Sequence, residues 1–180
     1  PSLFLNTGTL NQNADVVVNT LNEAAGTWRL NLPAAINNYN LTNGEVRGAN
    51  VIITNFTWAG GSLNGENANS NTCTIPSGGT LTIVGATAKS IGDYSSTSNG
   101  RRLVNNGTGT WSGAGLTGYW TPQLINNNLF SITSDLTYAW GGNGNSPGLI
   151  NNGTFNLTSG TDFTLSTVNG RLVVTKLNGQ

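Results

Sequence analysis

The sequence is 180 residues long, and only 8% of them are charged, seven acids against seven bases with no histidine. Such a balance leaves no electrostatic footprint for nucleic acid or anionic lipid, and the missing imidazole removes the usual general base and the commonest transition-metal ligand. Nowhere do 18 consecutive apolar residues occur, so no membrane-spanning helix is expected. Polarity comes from 29 Asn, 25 Thr and 25 Gly. Disorder usually pairs low hydropathy with high net charge, whereas this chain is neutral and rich in strand formers. It reads as folded.

Taken along the chain, the strand signals begin with Val16-Val17-Val18 and Val51-Ile52-Ile53. They continue through "TLTIVG" (Thr80 to Gly85), "FNLTSG" (Phe155 to Gly160), "DFTLST" (Asp162 to Thr167) and Leu172-Val173-Val174. Apolar and polar residues alternate with period two, the mark of half-buried strands. Between the strands stand Gly, Asn and Ser, which disfavour helix interiors and supply turns.

One phrase recurs. "LVNNGTGTWSG" (Leu103 to Gly113), "LINNNLFSITS" (Leu124 to Ser134) and "LINNGTFNLTSG" (Leu149 to Gly160) are near copies. Counting weaker versions, the repeat starts at Leu5, Leu21, Leu41, Leu63, Val84, Val104, Ile125, Ile150 and Val168, with spacings of 16, 20, 22, 21, 20, 21, 25 and 18. A period near 20 with strands inside it predicts an all-β parallel β-helix, a right-handed β-solenoid of about nine coils in a single domain over 1–180, or a segment of a longer array. In a parallel stack, equivalent corner residues lie on one another. Asn22, Asn43, Asn64, Asn106 and Asn127, spaced by 21 or its double, are therefore expected to bond through their amides as a ladder, with Gly85 in the vacant place.

The stretches "TWAGGSLNGENANSNTCTIPSGGTLTI" (Thr57 to Ile83), "LVNNGTGTWSGAGL" (Leu103 to Leu116) and "LINNGTFNLTSG" resemble the repeats of bacterial secreted β-helix surface proteins, the adhesins and autotransporter-like passengers. The resemblance is one of repeat style over nearly the whole chain. It implies an extracellular or cell-surface, structural or adhesive role, read here as non-enzymatic. The aromatic cluster between Trp111 and Trp140 makes glycans candidate partners, and uncapped strand edges at the two ends make further copies of the chain, stacked end to end, another. The competing expectation is a polysaccharide-active hydrolase or lyase, because pectin-lyase-like enzymes use a similar coil.

The residues for that chemistry are sparse. Asp15, Asp93, Asp135 and Asp162 are far apart in the sequence. Glu45 and Glu66 each follow Asn-Gly and lie 21 apart, so they are candidates to stack at about 5 Å, near the carboxylate separation of a retaining glycosidase. Arg47, on the same strand face as Glu45, gives the plainer reading of a surface Glu–Arg cluster. No catalytic residue, cofactor or metal is assigned.

Trp111, Tyr119, Trp120, Tyr138 and Trp140 crowd into two repeats among Gly and Ser, and are candidates for a glycan-stacking platform. Trp28 and Trp58, in "GTW" and "FTW", argue for the alternative that Trp packs the coil interior. Cys73, alone, is expected to be a small buried hydrophobe. Thr-rich pieces invite an ice-binding reading, which the irregular spacing opposes. The absence of an initiator Met or leader suggests a processed product or excised segment, and Pro1 and Lys176 are typical edge-blocking residues near its two ends.

Overall fold

The computed structural model describes residues 2–66, 71–93, 100–158, 162–167 and 170–175, with the backbone alone at 167 and 170–175. Pro1 and Lys176 lie outside the described residues. Every described regular element is a strand.

The first coils use two strands each. They are β1 (Ser2–Leu5) with β2 (Thr9–Gln12), β3 (Val16–Glu23) with β4 (Thr27–Leu30), β5 (Ala34–Leu41) with β6 (Glu45–Gly48), and β7 (Val51–Trp58) with β8 (Gly61–Gly65). Later coils use three: β9 (Thr72–Ile75), β10 (Thr80–Ile83) and β11 (Lys89–Asp93), then β12 (Arg102–Asn105), β13 (Thr108–Trp111) and β14 (Leu116–Gly118). The last are β15 (Gln123–Asn126), β16 (Leu129–Ile132) and β17 (Leu136–Trp140), then β18 (Gly148–Asn151), β19 (Thr154–Leu157) and β20 (Asp162–Thr167). Finally β21 (Gly170–Thr175) folds back antiparallel on β20. The strands assemble into a twelve-stranded and a nine-stranded sheet, parallel throughout except for that last pair. The chain is a parallel β-solenoid.

Its eight successive strand sets span about seven turns rather than nine. The difference has a structural cause. Along the nine-stranded sheet, register partners Thr27, Glu45, Ser62, Ser90, Thr117 and Ala139 are 18, 17, 28, 27 and 22 residues apart. The period near 20 is an average over narrow and wide coils. The ninth repeat, "VNGRLVV", holds the antiparallel β21 instead of a further coil.

The widening happens at β7. Its first residues pair with β9 (Val51 opposite Cys73) and its last four with β10 (Asn55 opposite Thr80). One bent strand becomes two because Pro76 cannot donate to a ladder and Gly78, at φ +78°, turns the chain. In the next coils the same corner is written Asn105-Asn106-Gly107, Asn126-Asn127-Asn128 and Asn151-Asn152-Gly153. A Cβ on Gly107 would lie 2.1 Å from the Gly79 carbonyl oxygen, and one on Gly153 2.1 Å from that of Asn128. The recurring phrase of the sequence is this corner.

Inside, alternate residues of both sheets form one core. Tyr39 stacks on Phe56 at 5.2 Å between ring centres, and Phe130 on Phe155 at 5.9 Å. Gly109 stands in the same column as those rings, and a Cβ there would meet the Phe130 ring at 2.2 Å. Cys73 is buried and free, as a small apolar side chain would be.

Candidate functional site

The asparagines do bond in ladders, but not all of the five that the 21-residue spacing picks out share one. Asn127 donates to Asn106 at 2.7 Å, and the outer ladder continues with Asn152 donating to Asn127 at 2.8 Å. Asn22 instead takes a bond from Asn40 at 2.8 Å, its true register partner. Asn43 lies in the turn after β5, and Asn64, on β8, donates to Glu45 at 2.8 Å. With coils of 17 or 18 residues there, a step of 21 overshoots by a few residues each time.

A second, inner ladder was not anticipated. Asn105 donates to Asn126 at 2.9 Å and Asn126 to Asn151 at 2.8 Å, with Asn105 and Asn126 wholly buried. Their amides also satisfy the corner carbonyls of Leu129, Asn128 and Thr154. These residues hold the corner together.

The five-ring platform divides. Trp111 and Tyr138 are fully buried, so neither offers a face to a ligand. Strand parity carries the reason: "TGTW" places Trp111 with the parity of Trp58 in "FTW", and the two columns coincide through Ile83. The Tyr138 hydroxyl has no hydrogen-bond partner among the described residues, and burial pushes its pKa up. Trp140 is half-buried on the inward side of β17, level with Gly118. Trp120 is half-buried in a turn at φ +61°, followed by Thr121 at +59°. Tyr119 lines an outer groove.

The carboxylates are placed differently from the stacked pair. Glu45 stands opposite Ser62, while Glu66 follows the end of β8 and takes two bonds from Arg29, at 3.1 and 2.6 Å. Glu45 accepts from Asn64 at 2.8 Å, and the Arg47 guanidinium lies 3.8 Å away. Each acid therefore has its own cation. Asp135 and Asp162, distant in sequence, are brought side by side, the Asp162 amide donating to the Asp135 carboxylate at 2.9 Å. Among the described residues no three His, Cys, Asp or Glu side chains converge as a metal site.

The groove itself has a volume of about 430 Å³. It is lined by Ala25, Asn43, Ser62, Ala88, Lys89, Ser90, Thr117 and Tyr119 together with Gly26, Gly44 and Gly61. The three glycines have φ of +96°, +120° and +82°, and a Cβ on Gly61 would meet the Gly44 carbonyl oxygen at 2.4 Å. The corner accepts only glycine, so the backbone lies bare. The Ser62 and Ser90 hydroxyls, 2.7 Å apart, share a hydrogen bond across neighbouring coils.

No family model, curated protein or solved structure matches this chain.

Beneath the groove, Glu23 is buried at 1% exposure. It accepts from the Tyr39 hydroxyl and from the Glu45 amide at 3.0 Å, and a Cβ on Gly44 would touch its oxygen. Burial pushes its carboxyl up to about 7. Where the coil widens, Arg101 is wholly buried and donates to the carbonyls of Ala49 at 2.6 Å and Asn64 at 2.9 Å. Burial lowers its pKa, but a guanidinium stays protonated. Neither residue was singled out in the sequence. For Glu23 a signal existed, since it shares the parity of the core residue Leu21 in "TLNE".

Proposed function

We propose that this chain is a non-enzymatic, extracellular structural or adhesive β-solenoid that binds glycans in the outer groove of its nine-stranded sheet. The groove carries the reading. Hydroxyls from Ser62, Ser90 and Thr117, the Asn43 amide and the Tyr119 ring offer a sugar both polar partners and an apolar contact. The acids nearby are engaged by Arg29, Arg47 and Asn64, which supports binding over hydrolysis. The resemblance of the repeats to secreted surface proteins supports the extracellular placement.

A glycan array read with the purified chain tests this, alongside a hydrolysis panel on the same polysaccharides with Glu66→Gln as control. Selective glycan binding without turnover is the expected result. Turnover that Glu66→Gln abolishes would overturn it in favour of an enzyme.

A further inference from the structure

The groove runs along the solenoid axis, because its lining comes from successive coils. Gly26, Gly44, Ser62, Ser90 and Thr117 each belong to a different turn. At about 4.8 Å per coil, four steps make a trough about 19 Å long. Gly26 and Gly61 contribute bare backbone to it, because a Cβ on either would run into the backbone of the preceding coil. At the far end Tyr119 is pinned, since a Cβ on Gly141 would lie 2.1 Å from its ring. A fixed ring loses little freedom on binding.

The charge in this trough is spoken for. Lys89 is the one charged residue in the lining, and its ammonium donates to the carbonyls of Gly85 at 3.2 Å and Thr87 at 3.0 Å. On the flank, Glu66 is held by Arg29, and Glu45 by Asn64, Thr27 and Arg47. A uronate would lose hydration to reach only the Lys89 ammonium, which is 2% exposed and already donates to two carbonyls, and an amino sugar would gain no lining carboxylate.

We infer that the ligand is an extended, unbranched, uncharged polysaccharide lying parallel to the solenoid axis from Gly26 to Tyr119. This rests on the glycan-binding reading above.

The test is native affinity electrophoresis and calorimetry with three polymers: an uncharged linear β-glucan, polygalacturonate and chitosan. The β-glucan is also supplied as an oligosaccharide length series. Retardation by the β-glucan, with affinity rising with length until the chain fills the trough and then levelling, is expected. Ser90→Trp fills the groove from an outward-facing position and should weaken binding about tenfold or more. Tyr119→Ala should weaken it by a similar factor through the lost ring contact. Circular dichroism checks that both variants fold, and if Ser90→Trp does not, Tyr119→Ala and the length series still decide. Tighter binding of polygalacturonate or chitosan, or wild-type affinity in folded variants, would overturn the inference while leaving glycan binding intact. Binding of no polysaccharide at all would remove both.

Discussion

The Tyr39 hydroxyl donates to the Glu23 carboxyl at 2.5 Å inside the core of the solenoid. Glu23 is the one charged member of the inward column Leu5, Glu23, Leu41, Trp58, Ile83, Trp111, Ile132 and Leu157. Burial raises its pKa from 4.5 to about 7, against the Tyr39 and Glu45-amide hydrogen bonds that favour the anion, while the Glu45 carboxylate adds to the rise. The folded state therefore holds the proton more tightly than the unfolded chain. Stability from this group is full below pH 4.5 and is lost as pH rises to about 7. The expected loss is up to about 3 kcal/mol across that window. Urea unfolding of wild type and Glu23→Gln at pH values from 4 to 8 checks it, and a pH-independent difference between the two would contradict the assignment.

Asn126 and Asn127 are neighbours with opposite fates. Asn126 donates to Asn128, Asn151 and Thr154 and accepts from Asn105, and its own side chain and that of Asn105 are fully buried. Asn126→Ala strands several of those groups and should cost about 3 kcal/mol or more, whereas Asn127→Ala, on the outer ladder, should cost below about 1 kcal/mol. Equilibrium denaturation distinguishes them, and equal losses would show that the inner ladder is not special.

Removing Arg101 leaves the Ala49 and Asn64 carbonyls without their guanidinium donor at the point where the coil widens. Arg101→Met should lower stability by about 3 kcal/mol. Arg101→Lys should recover little, because one ammonium does not reproduce the planar fork. Hydrogen exchange would show the change as faster opening of β8 and β9; unchanged protection there would count against this role.

Burial pushes the Cys73 thiol up to about 12, with Arg101 pulling slightly the other way. In the native protein at pH 8 it should resist a disulfide-exchange reagent and react only in denaturant. Rapid stoichiometric labelling of the folded chain would show the site to be open.

Much of the architecture was legible without coordinates. Period-two alternation in "TLTIVG" is β10, and the repeated Asn-Asn is the corner between the two halves of the large sheet. Both are local: alternation fixes which face a residue takes, and Gly or Asn fixes where the chain turns. The inward position of Trp111 and of Glu23 follows from the same parity.

The sequence by itself thus determined a parallel stack of strands with amide-bonded corners. Tertiary structure alone decided the coil lengths, because the turns between strands hold varying numbers of residues while hydrogen-bond register depends only on which strands meet. It chose Asn40 over Asn43 for Asn22, and set Glu45 against Ser62 instead of Glu66. It also laid Gly26, Gly44 and Gly61 along one bare trough, since residues from separate coils become neighbours only when the coils stack.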